Sequence, residues 1–247
     1  MAARALRLTG ARLAYGDHAV LDGLDLDVPR GETLVVLGAS GSGKSTLLRV
    51  LAGLEPLADG HLEQPDGPVH VATVFQQPLL LPWLDVRANV ALGGRYRANR
   101  DRFDDAHVDE LLALFGLDAL AAAPVATLSG GQAQRVAVAR AVAVRPDVLL
   151  ADEPFSALDP ATRRSLQSWL RDTARTLGLT VVLVTHDVDE ALFLGRTVTV
   201  LDGSGRTAGS WEVAPVTDHD ELAGHPLRPA LLARYESQAG LAAEGRT

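Results

Sequence analysis

No cysteine occurs among the 247 residues. This excludes disulfides and thiolate-held metals and suits a reducing compartment. No uninterrupted apolar run approaches the ~18 residues that cross a bilayer, so any membrane role is peripheral and passes through a partner. The opening residues, Met1-Ala2-Ala3-Arg4-Ala5-Leu6-Arg7, carry arginine with no apolar stretch behind it and do not read as a secretory leader. There is no internal repeat, no low-complexity tract and no sign of a second domain. With a net charge of −8, the chain lacks the clustered basic surface that a nucleic-acid backbone requires, so no nucleic-acid partner is expected.

Lysine is nearly absent too. Lys44 is the only one, arginine having taken every other basic position. The two are not exchangeable at sites that need a compact point charge, so a single survivor marks its own neighbourhood.

What remains is an ordinary globular composition, 47% hydrophobic and 22% charged, sufficient for one sizeable core. Leu24-Asp25-Leu26-Asp27-Val28 alternates as a half-buried strand should, and Pro29-Arg30-Gly31-Glu32 turns the chain. Thr33 to Leu37 is continuously apolar, as in a strand buried on both faces. Leu47, Leu48 and Leu51 recur at helical spacing, with Gly53 placed to end that helix. Val69 to Phe75 reads as a strand. Asp104 or Asp105 can cap a helix whose apolar face is Val108, Leu111, Leu112 and Phe115, ending before Gly116. A further helix is expected from about Gly131 to Val144, stopping before Pro146. Val148 to Asp152, Thr180 to Thr185 and Thr197 to Leu201 read as buried strands, with a helix around Thr162 to Leu177. Such alternation implies a largely parallel α/β sheet. Beyond Pro215 the pattern is less regular. Leu227, Leu231, Leu232 and Tyr235 suit one short amphipathic helix, and Leu241 to Thr247 is expected to fray.

Between the first buried strand and the first helix stands Gly38-Ala39-Ser40-Gly41-Ser42-Gly43-Lys44-Ser45, which fits G-x-x-x-x-G-K-[ST]. Glycines let successive N–H groups turn inward around phosphates, helped by the positive end of the helix. Lys44 reaches the β- and γ-phosphates, and the Ser45 hydroxyl suits Mg²⁺. Asp152 and Glu153 close another buried strand, at the end where open α/β sheets bind ligands. Alternation sends the two side chains apart, freeing Asp152 for Mg²⁺ and Glu153 for the attacking water. His186, after the Thr180 to Thr185 strand, is placed to sense the γ-phosphate. Leu128-Ser129-Gly130-Gly131-Gln132 is a small-residue turn before a helix, hence a second anion cradle. A second cradle makes sense if it closes over a nucleotide held by another copy.

Taken together, and in this order and spacing, these residues resemble the ABC ATPase family over nearly the whole chain. Gly38 to Ser45 is similar to its Walker A loop, Val148 to Glu153 to its Walker B strand and catalytic glutamate, and Leu128 to Gln132 to its signature motif. Ser156-Ala157-Leu158-Asp159 is similar to its D-loop, His186 to its switch histidine and Gln76 to its Q-loop glutamine. Tyr15 resembles the aromatic that stacks on adenine. The resemblance implies a P-loop NTPase of the α/β class, one domain over residues 1–247. That domain would have a RecA-like core, an N-terminal antiparallel β-subdomain, an inserted α-helical subdomain at about 85–145 and a C-terminal tail at about 215–247. It implies ATP bound by Tyr15, Gly38 to Ser45 and Thr46, with Mg²⁺ held by Ser45, Gln76 and Asp152. Catalysis would fall to Glu153, His186 and Gln76, Asp159 would serve the D-loop, and Ser129, Gly130, Gly131 and Gln132 would face the ATP of the opposite copy. Ala133 departs from the longer side chain frequent in relatives, and the C-terminus leaves no length for the regulatory β-domain of some importers.

The apolar, proline-stiffened run Gln77-Pro78-Leu79-Leu80-Leu81-Pro82-Trp83 follows Gln76. With Val86 and Asn89-Val90 it resembles the segment by which nitrate/sulfonate/taurine importers receive the coupling helix of their permease. The resemblance therefore implies a homodimer on ATP binding and a peripheral place on the cytoplasmic face of the membrane beneath a permease. An extracytoplasmic solute-binding protein would be an indirect partner. Three rivals stand beside this: an ABC ATPase of soluble machinery such as iron–sulfur cluster assembly, a P-loop kinase of a small metabolite, which leaves Leu128 to Gln132 without a purpose, and a noncatalytic nucleotide-binding scaffold.

Overall fold

The structure is a computed structural model and describes residues 3–244. In chain order the strands are β1 (Arg4–Tyr15), β2 (His18–Pro29), β3 (Thr33–Leu37), β4 (Asp59–Glu63), β5 (Val71–Val74), β6 (Val148–Asp152), β7 (Thr180–Thr185), β8 (Thr197–Leu201) and β9 (Thr207–Glu212). The helices are α1 (Lys44–Leu51), α2 (Val86–Val90), α3 (Asp105–Leu114), α4 (Gly130–Val142), α5 (Pro160–Leu177), α6 (Val188–Leu194) and α7 (Arg228–Glu244). They form two compact units, Met1–Val69 with Gln167–Thr247, and His70–Leu166.

In the first unit β1 pairs antiparallel with β2 on one side and β4 on the other. Leu24, Leu26 and Val28 are buried while Asp25 and Asp27 face solvent, as the strict alternation requires. The core strand β3 lies between β7 and β8, parallel to both, and β9 closes that edge antiparallel to β8. All six residues of β7 are buried, which is why its sequence is an almost unbroken apolar run. The expected C-terminal helix is α7, with Leu231 fully buried and Arg228 forked onto the Asp189 carboxylate at 2.7 and 3.1 Å. Of the segment expected to fray, residues 241–244 belong to α7 and 245–247 lie outside the described residues.

In the second unit β5 and β6 pair in parallel, Val74 opposite Ala151. β5 is shorter than the Val69 to Phe75 run suggests. At its entry His70 trades hydrogen bonds with Asp147, and at its exit Phe75 turns out to solvent. Around the pair stand α2, α3 and α4. Asp104 caps α3, accepting from the Ala106 N–H at 3.0 Å, and Val108, Leu111, Leu112 and Phe115 are buried as one face. Arg87 on α2 bridges Asp105 and Asp109 of α3, whose hydrogen bonds raise its pKa further above the ordinary arginine value. α4 runs from Gly130 to Val142, one residue early at the start and two short at the end of the expected span, and Arg145 beyond it takes φ 49°.

One buried side chain organises the segment before α2. Asn89 is 0% exposed and accepts from the Leu81 N–H while donating to the carbonyls of Leu81, Leu84 and Asp85. Asn89→Leu would leave those groups without partners in an apolar setting. The expected cost is about 2–3 kcal/mol of stability, read as a lower midpoint in urea unfolding. An unchanged midpoint would show that the segment holds itself.

Candidate active site

The phosphate loop leaves the C-terminal end of β3 and enters α1. Its glycines have separate reasons. A methyl group on Gly38 would sit 2.5 Å from Ser42 Oγ, and one on Gly43, at φ 90°, would sit 2.6 Å from the Val20 carbonyl. Gly41 also takes positive φ, at 87°, so the loop turns where only glycine does so freely. Lys44, 5% exposed, folds its ammonium back onto the carbonyls of Gly38 and Ala39 at 2.8 and 2.9 Å. Ser42 Oγ is buried and finds no hydrogen-bond partner among the described residues. A buried hydroxyl without a partner, among inward N–H groups at a helix start, is chemistry that an anion completes. Ala39 and Thr46 are buried, and Ser40 and Ser45 exposed.

His186 follows the neighbouring strand. The Gly38 N–H donates to the Thr185 carbonyl at 3.2 Å, so the phosphate loop and the histidine turn start from the same sheet end. The Thr185 hydroxyl donates to Glu190 and accepts from the Asp187 N–H, and the Asp187 carboxylate caps α6 through the N–H groups of Asp189 and Glu190. This knot leaves His186 exposed between a fixed strand and a fixed helix. Tyr15, 47% exposed, closes β1 opposite His18 at the hairpin turn.

The second unit gathers the carboxylates. Because Val74 lies opposite Ala151, Gln76 and the pair Asp152 and Glu153 leave the same end of the β5–β6 ladder. Asp152 ends β6 half-buried, while Glu153 takes φ 43°, in the left-handed region that a branched acidic side chain rarely adopts. Its carbonyl accepts from both the Ser156 N–H and the Ser156 hydroxyl, which locks the turn. Asp159 caps α5, accepting from the Ala161 and Thr162 N–H groups, and the Thr162 side-chain hydrogen bond, followed by these backbone bonds, lowers its pKa.

The Ser129-Gly130-Gly131-Gln132 turn opens α4 as a capping box. Ser129 Oγ accepts from the Gln132 N–H at 3.3 Å, and Gln132 Oε1 accepts from the Ser129 N–H at 2.9 Å. Since Oγ is used as an acceptor, the hydroxyl proton stays available to a phosphate oxygen. Packing fixes the glycines as well. A methyl group on Gly131 would meet Thr162 Cγ2 at 2.9 Å, and one on Gly130 would meet Leu158 at 3.1 Å. Sequence reasoning explained these glycines by anion access alone; their fit against the Asp159 turn needed the structure.

The apolar run after Gln76 is presented, not buried. Trp83 is 75% exposed and Leu79 55%. Val86, Asn89 and Val90, read with it as surface, are instead fully buried and brace it from beneath. A second brace was not legible. Arg140, on α4, donates to the carbonyls of Pro78 and Leu79 at 2.8 Å each, and Leu79 takes φ 47°. Burial lowers the Arg140 pKa, and the available signal was only an arginine in the apolar C-terminal half of the helix.

Comparison with known proteins agrees with this geometry. The family model described as ABC transporter matches residues 21–156, more than half of the chain. The aliphatic sulfonates import ATP-binding protein SsuB 1 of Pseudomonas syringae pv. syringae is 44% identical over 227 residues, covering 92% of this chain and 90% of its own length. The sulfate/thiosulfate import ATP-binding protein CysA of Xylella fastidiosa is 42% identical over 91% of this chain; the chain spans 66% of that relative's length. Among solved structures, a dimeric post-hydrolysis state of the ATP-binding cassette MJ0796 with ADP and Pi superposes with a TM-score of 0.70 at 30% identity, covering 85% of this chain and all of that one. The mixed α/β fold, the phosphate loop and these relatives lead to one conclusion: the chain belongs to the ABC transporter family, among its ATP-binding ATPase subunits.

Proposed function

We propose that the chain is the motor subunit of an importer, driving uptake of a small oxyanionic solute of the sulfonate, nitrate or taurine type through a separate permease. The names of the relatives support import by a transporter and give no support to soluble iron–sulfur machinery. The observation that carries the permease partner is the exposed strap from Gln77 to Trp83, held from inside by Asn89 and Arg140. An indole that protrudes from a rigid base is an anchor for a partner surface.

In this reading the domain is one working whole, with a helical part at about 85–145. The phosphate loop Gly38 to Thr46 and Lys44 hold the phosphates of ATP, and Tyr15 stacks on adenine. Ser45, Gln76 and Asp152 offer the hard oxygen donors that suit Mg²⁺, which when bound neutralises charge on the phosphates. Glu153 orients and deprotonates the attacking water, Gln76 helps to place it, and His186 registers the γ-phosphate. Ser129, Gly130, Gly131 and Gln132 clamp the nucleotide of a second copy, and Asp159 fixes the turn behind them. Two copies therefore close around ATP and open after hydrolysis, at the cytoplasmic face of the membrane, and an external solute-binding protein delivers cargo to the permease. The dimeric post-hydrolysis structure of MJ0796 supports the closure step by analogy.

Trp83→Glu tests the docking. The substitution leaves the nucleotide residues untouched, so basal hydrolysis by the isolated chain should not change. Its association with the permease should weaken by ~30-fold or more, corresponding to about 2 kcal/mol, and permease-stimulated hydrolysis should fall with it. Full stimulation of the variant in proteoliposomes would end the docking reading. Co-purification with only soluble partners would end the transporter reading itself.

A further inference from the structure

The first unit contains a cavity of about 360 Å³ that lies away from the phosphate loop. It opens where β3, β7 and β8 begin, lined by Glu32 and Thr33, Leu179 and Arg196, whereas the loop and His186 leave the far ends of β3 and β7. Five residues of strand at about 3.3 Å each separate the two ends by roughly 16 Å.

Its lining is unbalanced in charge. Arg171, Arg175 and Arg196 face one acid, Glu32, in a chain whose net charge is −8. Arg171 has a structural task. It donates to the carbonyls of Val216 and Thr217 at 3.0 and 3.2 Å and lies 4.1 Å over the Phe193 ring. Even so, its buried Nε finds no hydrogen-bond acceptor among the described residues, the Asp172 carboxylate standing 3.7 Å away. Arg175 stands one helical turn further along α5, on the same side. Arg196 gives one N–H to the Val213 carbonyl at 3.3 Å. Among the described residues neither Arg175 nor Arg196 is paired with a carboxylate. The rest of the wall is mainly apolar, with Leu179 and Phe193 as its largest groups, the Phe193 ring being already stacked on His219 at 3.7 Å.

Guanidinium groups that line one cavity with spare N–H donors select a planar or tetrahedral oxyanion, and an apolar wall selects a hydrocarbon body. The volume is that of a small-molecule site and too small for a folded partner. We propose that this cavity binds a small organic carboxylate or sulfonate, its head held by Arg175 and Arg196 and its body against the apolar wall around Leu179. Binding braces the Val213–Val216 crossing against α5 and α6. The site depends on neither ATP nor a permease, so it stands or falls separately from the transport reading.

The test is calorimetric titration and thermal unfolding of the full chain without nucleotide. The probes are sodium benzoate and sodium benzenesulfonate, with benzyl alcohol and sodium sulfate as controls at matched ionic strength. At least one organic anion should bind saturably and raise Tm, since a ligand of the folded state alone stabilises it by mass action. The better of the two names the head group. Arg175→Gln and Arg196→Gln should each weaken binding by about tenfold, while the unliganded Tm and basal ATP hydrolysis stay as before, both side chains being exposed and remote from the phosphate loop. Equal shifts from sulfate and benzoate would overturn the proposal, reducing the effect to general charge screening. So would binding that both variants retain in full, or no saturable response to either organic anion.

Discussion

Lys44→Ala is expected to lower ATP turnover by ~100- to 1,000-fold, the range for removing one prearranged positive donor from a charged transition state. Lys44→Arg is expected to fail almost as badly. The chain uses arginine at every other basic position, so retention of lysine here reflects shape and not charge alone. The ammonium lies 5% exposed between the carbonyls of Gly38 and Ala39, a gap for three donors on one nitrogen that a planar five-donor fork does not fit. Removing the side chain also takes this donor from the Gly38 carbonyl, while the Ala39 carbonyl keeps the Ser42 N–H, at about 1 kcal/mol of stability. Turnover and Tm must therefore be measured on the same preparation. A large loss of hydrolysis with a small loss of Tm is the expected pattern. Unimpaired hydrolysis by Lys44→Ala would place the phosphates elsewhere.

Where one local signal dictates structure, the sequence is legible. Strict alternation in Leu24 to Val28 gave a half-buried strand, near-continuous apolar runs gave β3, β6 and β7, and β-branched residues gave β8. Capping chemistry at Asp104 and helical spacing through Phe115 gave α3 within a residue. What stayed hidden depends on partners distant in sequence. β4 and β9 are short edge strands with mixed exposure, defined by pairing to β1 and β8 and not by their own pattern. In the sequence Asn89 reads only as part of the docking-like run, and Arg140 carries no reading of its own. Each is set by carbonyls of the Pro78 to Asp85 segment, and no periodicity reports where a side-chain donor finds its acceptor. The same holds at the site. The phosphate loop is contiguous, so it can be read as a string, whereas the fit of Gly131 against Thr162 links positions 31 residues apart.

Arg140 also bears on how the two ends of α4 work. The helix starts in the Ser129 capping box and, near its other end, holds the exposed strap through Pro78 and Leu79. A hydrogen-bonded helix is a stiff connector, so the strap and the Ser129 turn are joined through one regular element. Within the second unit, the exposed strap and the Ser129 turn are thus both tied to α4.

Glu153→Gln is expected to slow hydrolysis by ~100- to 10,000-fold, the contribution typical of a positioned general base. Glutamine keeps the size and the hydrogen-bonding reach but cannot take the proton, so ATP should still bind and the ATP-held dimer should accumulate. Single-turnover hydrolysis with size-exclusion chromatography in ATP reads both at once. The backbone sharpens the test. At φ 43° a non-glycine residue is strained by roughly 1 kcal/mol, and a position selected for stability alone would hold glycine. Glu153→Gly removes the strain and loosens the unfolded chain by a similar amount, so its Tm should stay close to that of the parent while turnover falls as far as in Glu153→Gln. Such a pairing, full stability with no hydrolysis, would mean that the carboxylate is kept at this awkward point for its chemistry. If Glu153→Gln instead hydrolyses at the parental rate, the proton goes to another group and the role assigned to Glu153 is wrong.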